Sequence, residues 1–194
     1  MHKSILSWTL IIASFLLLQC SSDESEQQNK TQKSDQASET GIALKYSTPD
    51  EWVQEKPSSS MRKAQYRWPG VDGAEDAEMA VFFFPGAGGS VKMNLNRWYG
   101  QFKQPDGGST AAKAEEKTID VDGLDVTVVY VTGTFLKSKS MMMGGPKEEK
   151  KNYAMLAAIV ETEKAPWFLK ATGPQKTIDH WRPEFQEFVK TFHF

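Results

Sequence analysis

The sequence predicts an α+β fold, an antiparallel β-sheet flanked by helices and layered as an α/β/α sandwich. Three observations point to it. Short alternating or wholly apolar runs, separated by turn residues, recur from Gly41 to Thr172. Two of them, Glu78–Phe84 and Tyr153–Val160, are nearly continuous in apolar residues and so call for cover on both faces. Two further segments carry an apolar stripe at helical period and can supply that cover.

The elements follow in order. Gly41–Tyr46 (GIALKY) alternates like a strand, and Thr48-Pro49-Asp50-Glu51-Trp52 makes a turn with Trp52 packing inward. Met61–Trp68 reads as a strand with Met61, Lys63, Gln65 and Arg67 on one side. Glu78–Phe84 is a strand closed by Pro85. Ser90–Phe102 places Val91, Leu95, Trp98 and Phe102 on one helical stripe, with Ser90 as N-cap. In Trp98-Tyr99 one ring is expected to face out if the other faces in. Glu116–Val121 and Leu124–Thr132 alternate around Asp122-Gly123, a strong hairpin signal. Lys137–Asn152 reads as a long loop. Tyr153–Val160 and Trp167–Thr172 form a last strand pair around Glu161–Pro166, although Ala, Met and Leu in the first would also suit a helix. The final helix aligns Ile178, Trp181, Phe185, Phe188, Val189 and Phe192, with Pro183 either kinking it or sitting in its first turn.

This order, β–turn–β–β–α–ββ–ββ–α, resembles the Mog1/PsbP-like fold. The opening GIALKYSTPDEWVQE is similar to that family's start, a strand running into a Pro-x-x-Trp turn. The resemblance covers Gly41–Phe194. It implies a binding or assembly factor without catalysis, and it transfers no site residues.

Three stretches organise the chain: 1–19, 20–40 and a single globular domain at 41–194. The first carries the positive Lys3 near its start, continues through the apolar run Ile5–Leu18 and ends before Cys20, the single cysteine. An apolar run this short followed by polar SSDESEQQNK reads as a cleaved signal and not as a span, which needs ~20 residues. Leu17-Leu18-Gln19-Cys20 resembles the lipobox of bacterial lipoproteins, with Gln19 where Gly, Ala or Ser is usual. The resemblance implies that Cys20 is lipidated and becomes the new N-terminus. Durable attachment then comes from two or more acyl chains. Ser21 next to it resembles outer-membrane sorting, so the expected location is the cell envelope, anchored by lipid. The domain would lie in the periplasm or at the cell surface. Ser21–Thr40 has no aromatic and no large aliphatic residue, and it reads as a disordered tether reaching at most ~70 Å.

Charge argues against nucleic acid. The tether's acids Asp23, Glu24, Glu26, Asp35 and Glu39 face only Lys30 and Lys33. The tether is therefore net negative, Lys3 offsets part of it to give −2 overall, and the domain is balanced. A lone cysteine allows no internal disulfide.

Two segments are candidate ligand or partner loops. Gly86, Gly88, Gly89 and Ser90 join a strand to a helix. Backbone amides at such a place can hold an anion, though neither G-x-G-x-x-G nor a Walker A spacing is present. The plainer reading is a tight connection capped by Ser90. Met141, Met142 and Met143 sit between lysines in the Lys137–Asn152 segment. Thioethers suit adaptable partner contact or Cu(I), but no His or Cys stands nearby, and a hairpin loop is the plainer reading. His180 and His193 form no metal pattern, no G-x-S-x-G elbow occurs, and Glu115–Glu116 and Glu148–Glu149 read as solvated. No catalytic residue, metal or cofactor is expected. The expected function is a lipid-anchored, non-catalytic binding or assembly module, with an envelope protein or small ligand as partner. The alternatives are an envelope hydrolase with an unrecognised site, or a structural surface lipoprotein.

Overall fold

A computed structural model describes residues 43–139 and 145–194. Cys20, the tether and Met141–Met143 lie outside the described residues. The described chain runs β1 (Val53–Glu55), β2 (Arg62–Trp68), β3 (Ala77–Phe83), α1 (Val91–Tyr99), β4 (Phe102–Lys103), α2 (Thr110–Lys113), β5 (Glu115–Val121), β6 (Leu124–Ser138), β7 (Lys147–Val160), β8 (Trp167–Pro174) and α3 (Gln175–Val189). All strands belong to one antiparallel sheet ordered β1-β2-β3-β8-β7-β6-β4, with β5 also on the outer edge of β6. Helices are few, and strands dominate.

Alternation within the central strands sorts side chains into two cores. From β7, Ala154, Leu156, Ala158 and Val160 enter one cluster, while Met155, Ala157 and Ile159 enter the other. This two-sided burial is why an Ala/Met/Leu-rich segment becomes a strand and not a helix. The first cluster also takes Ile178, Trp181, Phe185, Phe188 and Val189 from α3. There Trp52 packs 4.6 Å from Trp68 and 4.9 Å from Phe188, between ring centroids. The second cluster takes Leu95, Trp98 and Tyr99 from α1.

Local signals hold where they rest on backbone chemistry. Asp122 and Gly123 adopt φ values of 55° and 78°, as a two-residue hairpin turn requires. The Ser90 hydroxyl accepts from the Met93 amide at 3.3 Å and caps α1. Pro183 lies inside α3.

Six expectations are corrected. Residues 43–46 form no full strand: Lys45 makes one bridge to His193. A strand at Val53–Glu55, pairing with β2, goes beyond the predicted turn. The register of β2 shifts between Arg62 and Ala64, so Lys63 falls out of the expected alternation. Helix α1 ends at Tyr99, and Phe102 reaches the same core from β4. Both Trp98 and Tyr99 are buried, because the Tyr99 hydroxyl finds Glu116 at 3.0 Å. The predicted loop Lys137–Asn152 is the largest change. Leu136, Lys137 and Ser138 pair with Glu149, Glu148 and Lys147, which extends the β6–β7 hairpin into a charged arm.

Close approach fixes two glycines. At Gly133, with φ 147°, a Cβ would lie 2.7 Å from the Lys103 carbonyl oxygen. At Gly173 a Cβ would lie 2.4 Å from that of Ala77 on the neighbouring strand. Gly173→Ala is therefore expected to lower stability by ~1–3 kcal/mol in urea unfolding, and an unchanged midpoint would contradict this packing.

Candidate functional site

Helix α1 covers only part of its face of the sheet. Beside it lies an open cleft of about 910 Å³. Its floor is the sheet itself: Ala80 and Phe82 from β3, Lys170 and Thr172 from β8, and Tyr153 from β7. One wall is the hairpin arm, through Phe135, Leu136, Lys137, Lys147 and Lys150. The arm is set by backbone geometry. The β6–β7 register breaks between Gly133 and Phe135, and Asn152 opposite takes φ 55°. Pairing with β4, and the Leu136 amide donating to the Gln101 carbonyl at 2.8 Å, hold the arm against the end of α1.

Lys170 is the unusual residue. It occupies a central strand between Leu169 and Ala171, both fully buried. Its amine donates to Gln101 Oε1. It also sits 5.8 Å from the Trp98 ring centroid and 5.9 Å from that of Phe135. Among the described residues no carboxylate lies within ion-pair distance of it. Desolvation, helped by the positive Arg97 nearby, pulls its pKa down to about 7.

The acids of the cleft are already engaged. Glu78 pairs with Arg62 at 2.8 Å. Asp76 accepts from the Gly70 amide at 2.7 Å and pairs with Arg67 at 3.1 Å, and the Gly70 bond foremost holds its carboxyl below the usual range. Glu75 accepts from the Tyr153 hydroxyl at 2.9 Å. Lining residues include five cations, Arg62, Lys137, Lys147, Lys150 and Lys170, against these three carboxylates, so the cleft leans positive.

A second polar cluster joins the far edge of the sheet to α3. Tyr130 donates to Asp179 Oδ1 at 2.5 Å, and Arg182 stacks 4.1 Å above the Tyr130 ring while pairing with Glu115 at 2.5 Å. Burial raises the Tyr130 pKa, so the phenol stays protonated. Each group there satisfies another, and the cluster locks α3 to the sheet.

Of the two loops singled out from sequence, the Lys137–Asn152 segment lines the cleft through Lys137, Lys147 and Lys150, its Met141–Met143 lying outside the described residues, whereas the glycine loop does not line it. Gly86, Gly88, Gly89 and Ser90 sit at the start of α1, where Asn94 Nδ2 donates to the carbonyls of Gly88 and Ser90 at 2.7 and 2.9 Å. Gly86 and Gly89 have φ near +70°, and a Cβ on Gly88 would meet Pro166 at 2.9 Å. His180 and His193 are exposed, the latter bonded to the Thr191 carbonyl. Glu115, Glu148 and Glu149 are exposed or nearly so and ion-paired. Among the described residues no three His, Cys, Asp or Glu side chains come together as an ion cradle. The residue that sequence reading missed is Lys170. Its signal was a lone cation inside WFLKAT, a run whose neighbours all read as core.

No family model matches the chain, and no curated protein matches it. Several solved structures are similar. A protein of unknown function from Pseudomonas aeruginosa shares 10% identity at a TM-score of 0.45, over 73% of this chain and 95% of that one. Cyanobacterial PsbP (CyanoP) from Synechocystis sp. PCC 6803 shares 13% identity at a TM-score of 0.42, over 81% of this chain and 96% of that one. A protein from Bacteroides thetaiotaomicron VPI-5482 shares 12% identity at a TM-score of 0.39, and the match spans 77% of this chain but 44% of that one. These are distant likenesses of fold and name no family for this chain.

Proposed function

We propose that the protein is a lipid-anchored binding module of the bacterial cell envelope, without catalysis, and that the cleft on the α1 side of the sheet is its binding surface. The lipid anchor is assigned to Cys20, and the domain is read as a Mog1/PsbP-like α/β/α sandwich. The observation that carries the binding role is the cleft itself. A rigid sheet floor, aromatic walls and a few fixed polar groups make a concave surface suited to holding a ligand. The positive Lys170, with no acid of its own, supports ligand recognition there.

The test uses the full chain in its own cells. A photoreactive amino acid at Leu136, in the cleft wall, should give a specific light-dependent adduct. The same group at Lys92, on the exposed face of α1, should not. Identical patterns at the two positions would sink the cleft as the binding surface. Labelling with a palmitate analogue, lost in Cys20→Ser, tests the anchor separately.

A further inference from the structure

We propose that the cleft takes a small organic anion with a flat apolar body, its acidic group paired with the Lys170 ammonium; this rests on the cleft being the binding surface.

The unmet hydrogen bonds of Lys170 come first. An ammonium carries three donors, and Gln101 Oε1 accepts one. Among the described residues nothing accepts the others, and aromatic faces at 5.8 and 5.9 Å do not replace a counter-ion. A cation held this way in a polar cleft is left to be completed by an acceptor from outside. The surrounding charges favour an anion in that place. Glu78, Asp76 and Glu75 are turned to Arg62, to Arg67 with the Gly70 amide, and to Tyr153. Lys137 and Lys147 add positive charge from the arm, where Lys150 is paired with Glu148 at 3.0 Å, and Arg97 adds it from α1. Phe135, with its ring centroid 5.9 Å from the amine, and Phe82 in the cleft floor supply apolar surface, which suits a flat body and not a bare inorganic ion. A volume of about 910 Å³ holds a small molecule.

Protonation ties binding to pH. The Lys170 pKa of about 7 reflects desolvation first and the positive Arg97 second. An anion beside it favours the charged form, so binding above that pH must take up a proton.

Two fluorescent probes of one ring frame test this: 8-anilinonaphthalene-1-sulfonate and its neutral analogue N-phenyl-1-naphthylamine. At about pH 6 the protein should bind the sulfonate roughly tenfold more tightly than the neutral probe, the usual size of one charge-assisted contact. Lys170→Met should abolish that preference, and Lys170→Arg should keep it. For the wild type, sulfonate affinity should fall by up to about tenfold per unit above pH ~7, while the neutral probe stays level. This last measurement needs no variant to fold. Thr172→Trp, which fills the cleft floor, should weaken both probes. Loss of both in Thr172→Trp without any sulfonate preference keeps the cleft as a binding surface and overturns the anion assignment. So does a preference that survives Lys170→Met. Undiminished binding of both probes in Thr172→Trp overturns the anion assignment and the cleft together.

Discussion

Phe185→Ala is expected to destabilise the domain by ~3–5 kcal/mol, enough to leave it largely unfolded if its total stability is typical. Phe185 is fully buried on the inner face of α3, 5.8 Å from Trp68 and 5.9 Å from Phe188 between ring centroids. Removing its ring opens a void in the aromatic cluster that seats α3 on the sheet. The surrounding rings are held by strands on one side and by the helix on the other, so the void can collapse only in part. Urea unfolding followed by tryptophan fluorescence measures the loss. A change below about 1 kcal/mol would mean that α3 is not seated as described.

Lys170→Met is expected to do the opposite, and to do it in a pH-dependent way. The folded pKa of about 7 lies below the ordinary lysine value of 10.5. Between these two values the unfolded chain binds more protons than the folded one, so wild-type stability rises with pH across that window. Below about 7 both states carry the proton, and the full cost of holding the cation in the cleft is felt. The methionine keeps the volume of the stem and removes the charge. Its gain should be largest near pH 6, on the order of 3 kcal/mol after allowing for the half-buried position of the residue as a whole, and should shrink toward pH ~10. The check is the difference in unfolding free energy between the two proteins along that pH range, which cancels the titration of other groups. A flat difference would mean that Lys170 is solvated and ordinarily charged.

What could be read from the sequence was what local chemistry decides. Asp122-Gly123 needs positive φ, Ser90 needs only the amides just after it, and the stripe Ile178–Val189 needs only helical period. The charged arm Lys147–Asn152 was hidden because its strand is stabilised by distant partners, by Lys137 opposite Glu148 across the hairpin and by Lys103 of β4 with Glu149 at 2.5 Å. No apolar alternation marks such a strand. The short β4 was hidden for a related reason: Phe102 fits a helical stripe, and only its pairing with Phe135 makes it a strand. Of the cleft, only the Lys137–Asn152 wall was singled out from sequence, and its floor could not be read. Trp98, Gln101, Phe135 and Lys170 come from α1, the turn after it, β6 and β8, and only the sheet order brings them together. The glycine loop drew attention because its pattern is local, yet its polar groups serve the start of α1.

The Lys170 cleft as the place where the protein holds its ligand is tested most directly by native mass spectrometry of the full-length protein, released gently from its own envelope. The wild type should carry an additional small mass that leaves on activation, and Thr172→Trp, with its cleft floor filled, should be free of it. The same bound mass on both proteins, or its absence from the wild type, would contradict the account.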